Sequence, residues 1–402
     1  MKKLFALFLL PFLASSILAQ NINFNQGKIK QKHYRQEIPY QKIRGIPVVF
    51  VTINEKIYKF FFDTGSSSLV ISDNLCKELN LPITGQKIVS GASGEQRKMK
   101  KILLPELHLQ EITFTNISGI VSYEKYELFE CLGIDGIIGG NMLINFVVHF
   151  DEQRQCIIIT DNIRNLRLKK VMPQKMEFTS AKCVPFVTVI LKKGKEKVKQ
   201  KVLFDSGQSS DSFFEMSMRN YSWKINNIVE KMSESEGAFS FGIHGFFANQ
   251  KHLLLNIPEI IVNKIPFNDI TITTTHGNNS RIGAKLFQYG KTTLDYKKKR
   301  FYFEPFDNID KSELSKLPLA INFTFQNDKI VVGIIWDKTL ESQINLGDEM
   351  LSINGIDVQS MSPCELFQLK VSTDSDELIL ELRDIKTGEP KKVAVKRMQF
   401  SK

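Results

Sequence analysis

Phe62-Asp63-Thr64-Gly65-Ser66-Ser67-Ser68 and its second form, Phe204-Asp205-Ser206-Gly207-Gln208-Ser209-Ser210, decide how this chain is read. Each sets an Asp at the end of an apolar β-type run and follows it with a hydroxyl residue and a glycine. Two carboxylates a few Å apart cannot both ionise cheaply, so they share a proton and divide the roles of base and acid. A pair of this kind activates water without a metal.

The correspondence extends outward from both segments. Asp135-Gly136-Ile137-Ile138-Gly139-Gly140-Asn141-Met142-Leu143 follows the first, with 76 residues from Asp63 to Gly139. Ser280-Arg281-Ile282-Gly283-Ala284-Lys285-Leu286-Phe287 follows the second, with 78 from Asp205 to Gly283. Gly139 to Asp151 and Gly283 to Asp295 are both 12 residues, and each ends before a polar turn and a β-prone run. Upstream, Ile46–Val51 matches Val184–Val189. The same four features in the same order imply a duplicated unit of roughly 140 residues.

Composition sets the outer limits. The 402 residues suggest two or three domains, and 42% apolar residues suffice for real cores. Met1-Lys2-Lys3, the apolar run Leu4–Leu13 and the small residues up to Ala19 read as a cleavable secretory leader rather than an anchor. Residues 1–19 are therefore assigned to a signal peptide, and an exported protein, periplasmic or secreted, is expected without a stable membrane anchor. The net charge of +11, or +9 without Lys2 and Lys3, gathers in Lys192–Lys201 and Lys297–Arg300. Both runs sit between β-prone stretches as hairpin tips, with no stacking aromatics interleaved, so no nucleic-acid partner is expected. Cys76, Cys131, Cys156, Cys183 and Cys364 are scattered, and they suggest buried thiols or at most one bridge, placed within the first repeat. Neither they nor the six histidines show metal-ligand spacing, so no metal or other cofactor is expected.

Local patterns are β-rich. Pro47–Ile53 and Lys56–Phe62 flank a turn at Asn54-Glu55. Asn74–Asn80 has a helical pattern with Asp73 as its cap, and Asn141–Phe146 reads as a second short helix. Glycine-rich tips lie at Ser90–Gly94 and within Ser233–Gly245. Phe306–Glu313 reads as a linker. Beyond it, Gly347-Asp348 makes a turn, Glu349–Ile353 a strand, Asn354-Gly355 a hairpin turn, and Pro363–Leu369 a helix. The polar stretch Gln20–Ile38 suits either a short pro-segment or a disordered arm.

The two half-sites resemble those of the retropepsin and pepsin clan of aspartic peptidases, most closely the bacterial retropepsin-like members fused to a PDZ domain. The resemblance implies a mainly β fold: two tandem retropepsin-like β-barrel lobes (35–165 and 175–306) forming a pseudo-dimer, and a C-terminal PDZ-like α+β domain (315–400). It implies an endopeptidase, acting as a monomer on a peptide or protein substrate, with Asp63 and Asp205 as the catalytic pair. Thr64 and Ser206 would cross-link the loops, and Gly65 and Gly207 would make the tight turns. Ser66 would hydrogen-bond Asp63 through its hydroxyl, and Gly139 and Gly283 would close the crossing behind each loop. Gly91, Ala92, Ser93 and Gly94 would form a substrate flap, and a C-terminal peptide could fill the PDZ groove. Three positions depart from the pattern: Gln208 in place of Ser66, Asp211 in place of Leu69, and Arg281 in place of Ile137. Arg281 is expected to face solvent or pair with Asp211; beside the carboxylates it would favour their ionised form. A non-catalytic peptide-binding protein is the alternative reading.

Overall fold

Tyr58, Phe60 and Phe62 alternate inward along Lys56–Phe62, while Ile57 and Lys59 face out. This is the period of a strand covered on one face. The strand turns back from Ile46–Ile53 through Asn54 and Glu55, whose φ values of 48° and 66° make the two-residue turn that suits strand twist. The computed structural model describes residues 28–399 except 92–94, 123–127, 170, 179–182, 239–240, 243–244, 247–248, 310–311 and 370–375. The expected leader, residues 1–19, lies outside the described residues, as do Ala92, Ser93 and Gly94. Among the described residues no helix is long and apolar enough to cross a membrane.

The fold is mainly β, with closed β-barrel sheets. In the first barrel the neighbours run Ile46–Ile53, Lys56–Phe62, Gly136–Ile138, Leu69–Ile71, Ile112–Val121 and Gln96–Leu109, which returns to Ile46–Ile53. In the second they run Pro185–Lys193, Glu196–Asp205, Arg281–Gly283, Phe214–Ser217, Ile265–Thr275 and Gln250–Val262, which returns to Pro185–Lys193. The order and the parallel or antiparallel sense agree at the centre of both. The short motif strand lies parallel to the one that leads into the Asp loop and antiparallel to the one after it. Side chains have no room at this crossing. A Cβ on Gly139 would collide with the Ser68 backbone, and one on Gly283 with Gln208.

A third sheet joins the barrels. Val147–Asp151 and Cys156–Thr160 pair antiparallel, as do Gly290–Asp295 and Arg300–Pro305, and the two hairpins meet along Val147–Asp151 and Gly290–Asp295. His149 sits opposite Thr293 and hydrogen-bonds its hydroxyl at 2.8 Å. Phe150 stacks on Phe287 with centroids 4.3 Å apart, and one apolar core runs through both barrels and this sheet. Arg35–Pro39 forms its edge, with Ile38 fully buried. That end of Gln20–Ile38 is thus an ordered strand rather than a disordered arm.

The C-terminal sheet is built from Ile321–Gln326, Lys329–Ile335, Glu349–Ile353, Ile356–Asp357, Glu377–Arg383 and Pro390–Lys396, around a core that includes Trp336. Asn354 and Gly355 (φ 50° and 80°) make the expected hairpin turn, and the helix Pro363–Gln368 starts from a Ser362/Glu365 capping box. The sheet touches both barrels. Phe325 packs into an apolar cluster with Met99 and Phe129 of the first. Ala238 N–H donates to Gly333 O (3.1 Å), and the Ser233 hydroxyl to Trp336 O (2.6 Å), from the second.

Two local expectations need correcting. The cysteine bridge is Cys131–Cys364, which joins the first barrel to the C-terminal helix rather than closing within the first repeat. Spacing cannot reveal a pair 233 residues apart. The helix Asp73–Glu78 is capped by Ser72, whose hydroxyl accepts from Leu75 N–H, while Asp73 lies in the first turn and pairs with Lys77.

Candidate active site

The two Asp loops meet tip to tip. Thr64 Oγ1 donates to Phe204 O (2.8 Å) and accepts from Ser206 N–H (3.0 Å). Reciprocally, Ser206 Oγ donates to Phe62 O (2.6 Å) and accepts from Thr64 N–H (3.0 Å). Both hydroxyl side chains are fully buried, so each bond also satisfies a backbone group that water cannot reach. The cross-link holds each carboxylate over the opposite loop's glycine. A Cβ on Gly65 would overlap the Asp205 carboxyl, and one on Gly207 would overlap that of Asp63. The structure thus brings Asp63, Thr64, Gly65, Asp205, Ser206 and Gly207 into one cluster, with Gly139 and Gly283 in the crossings behind it.

The carboxylates lie within hydrogen-bonding reach of each other. Burial and the Asp205 charge, together with that mutual hydrogen bond, hold the Asp63 carboxyl well above the usual carboxylate range. The amides of Gly65 (2.7 Å) and Ser66 (3.1 Å) donate to Asp63 Oδ1 and oppose that shift without reversing it. Ser66 therefore reaches Asp63 through its backbone N–H; its hydroxyl, expected there, donates instead to Ser68 O at 2.9 Å. On the other side Gly207 N–H donates to Asp205 Oδ1 (3.1 Å). The amide of Gln208 turns to Asp205 O (3.1 Å), its side-chain nitrogen donates to Ser210 Oγ (2.8 Å), and its buried Oε1 has no hydrogen-bond partner among the described residues.

The second loop is also longer. Phe214 pairs with Ile282 and Glu215 with Arg281, where the first barrel pairs Ile137 with Val70. Phe214 thus stands where the first barrel has Leu69, and the proposed exchange of Leu69 for Asp211 is a misalignment caused by three extra residues. Asp211 is exposed on that loop. Arg281 neither faces solvent nor pairs with Asp211. It is buried, with Nη1 3.5 Å from Asp205 Oδ2 and Nε 3.3 Å from Glu215 Oε2. Glu215 escaped the sequence reading because the three-residue slip hid its position beside Arg281. Burial raises its carboxyl pKa, with Arg281 pulling the other way.

Of the expected flap, Gly91 is described. It closes the hairpin of Ile83–Ser90 and Gln96–Leu109 by donating to Glu95 O (2.8 Å). The equivalent hairpin, Glu230–Gly237 with Gln250–Val262, carries the small pair Phe241–Gly242 and Gly245–Phe246 at its end.

Residues 49–142 match the aspartyl protease family model. This aspartyl protease match takes in the Asp63 loop and the Gly139 crossing and stops before the second repeat. It supports a protease function in general terms. No curated protein is significantly similar to the chain in sequence.

Proposed function

We propose that this chain is an exported aspartic endopeptidase whose lytic water is held and activated between Asp63 and Asp205. The observation that carries the reading is the reciprocal cross-link, which sets two carboxylates in hydrogen-bonding reach at the meeting point of two like barrels. With one proton between them, one carboxylate takes a proton from water as its oxygen attacks the scissile carbonyl, and the other protonates the carbonyl oxygen. Each loop's amide donors orient the carboxyl they bind. An extended peptide would lie beneath the two hairpins as an added strand, its alternate side chains entering pockets. The leader-like Met1–Ala19 supports export.

The C-terminal sheet and helix are read as a PDZ-like unit docked on its own chain. The helix Pro363–Gln368 is bridged to the first barrel by Cys131–Cys364, and Phe325 of Ile321–Gln326 packs into that barrel's apolar cluster. The two elements that would flank a peptide groove are thus both engaged within the molecule. A second reading, a peptide-binding protein without catalysis, is favoured by one observation, the Arg281 guanidinium set against Asp205.

Cleavage of unfolded, fluorescein-labelled casein across acidic to neutral pH separates the two. The peptidase reading expects a bell-shaped profile for the wild type and a fall of about 10²–10⁴-fold in Asp63→Asn. Undiminished casein binding with no cleavage by the wild type at any pH would favour the second reading.

A further inference from the structure

The two barrels supply different neighbours to two otherwise similar carboxylates. Behind the Asp63 loop, the row across the crossing is Phe61, Ile137 and Val70, all apolar. Behind the Asp205 loop the same row is Leu203, Arg281 and Glu215. Arg281 and Glu215 side chains are only 10% and 12% exposed. A buried charge is costly unless paired, and a guanidinium can serve two carboxylates at once. Glu215 and Asp205 together supply those partners.

We propose that Arg281, held in place by Glu215, is a positioning residue that fixes the negative charge of the resting pair on Asp205 and the shared proton on Asp63. This rests on the peptidase reading above and goes beyond it by assigning the roles. Among the described residues, the charged groups that face Asp205 are Asp63 from the opposite loop and Arg281 from the strand Arg281–Gly283; Glu215, on Phe214–Ser217, acts from behind Arg281. Asp63 faces Asp205 and the buried Tyr296. The only cation among these groups stands on the Asp205 side.

The reaction then has a direction. Water attacks the scissile carbonyl carbon and gives a proton to the Asp205 carboxylate, while the Asp63 acid gives its proton to the carbonyl oxygen. The resulting gem-diol collapses as the proton on Asp205 passes to the leaving nitrogen and the C–N bond breaks. One diol hydroxyl returns its proton to Asp63. The pair ends as it began, with a neutral acid on one side and a carboxylate on the other.

The test is the pH dependence of kcat/KM for casein cleavage by the wild type, Arg281→Met, Arg281→Lys and the double variant Arg281→Ile/Glu215→Val. The double variant installs the first barrel's own apolar pair and leaves no buried charge behind. Loss of the cation is expected to move the acidic limb up by about one pH unit in Arg281→Met and in the double variant. Arg281→Lys is expected to recover most of the shift. A role confined to folding would lower activity without moving the limb or responding to lysine. An unmoved limb in the folded double variant, with Asp63→Asn and Asp205→Asn inactive, would overturn the proposal and leave the peptidase reading intact. Full activity in both of those Asn variants would overturn the peptidase reading itself.

Discussion

The Asp63 loop and the Asp205 loop share a backbone and differ in what surrounds it. Both end a strand, both send a hydroxyl across to the other's backbone, and both run in front of a glycine crossing. Yet Asp63 accepts two loop amides and backs onto apolar side chains. Asp205 accepts one amide and backs onto an arginine. The likeness lies in the groups that force two chains of atoms together, and the difference lies in the groups that set charge. A duplicated site can keep the first while its halves diverge in the second.

The features common to both loops should respond alike when broken. Gly65→Ala and Gly207→Ala each drive a Cβ into the opposite carboxyl, so each is expected to abolish casein cleavage, by 10²-fold or more on the scale of a lost general acid or base. A large loss in only one of them would break the symmetry. Thr64→Ala and Ser206→Ala each strand one buried amide and one buried carbonyl of the opposite loop. Each is expected to cost about 1–3 kcal/mol for every group left unsatisfied, measured by urea unfolding. Ser66→Ala keeps the amide that Asp63 uses, so kcat/KM should stay within about threefold of wild type, a barrier change below roughly 1 kcal/mol.

The last difference between the loops concerns stability and pH. Asp63 holds its proton above the usual carboxylate range, so between the unfolded and folded values the folded chain binds more protons than the unfolded one. Its contribution is fully present below the unfolded value and is lost as pH rises through the folded one. For a single proton the slope is at most about 1.4 kcal/mol per pH unit. Asp63→Asn should flatten that slope in denaturant titrations at successive pH values.

The repeated architecture was legible because its markers are local and occur twice. Asp63 and Asp205, Gly139 and Gly283, and the equal offsets to Asp151 and Asp295 placed both loops and the strands of the joining sheet. The turns at Asn54-Glu55 and Asn354-Gly355 were legible for the same reason, since a two-residue turn with positive φ carries its own composition. What failed depended on register or on distance. Three extra residues after Gln208 turned a correct motif into a wrong pairing of Asp211 with Leu69 and concealed Glu215. Cys131 and Cys364 meet only because the C-terminal sheet folds back on the first barrel. The Ser66 hydroxyl turns to the Ser68 carbonyl while its amide serves Asp63, a choice that composition does not reveal.

If both carboxylates of one chain act together, Asp205→Asn removes half of the machinery. Purified Asp205→Asn protein, shown to be folded, is assayed for casein cleavage beside the wild type across acidic to neutral pH. Cleavage is expected to be lost over the whole range. Cleavage at the wild-type rate would mean that Asp63 works without Asp205, and the intramolecular pair would be wrong.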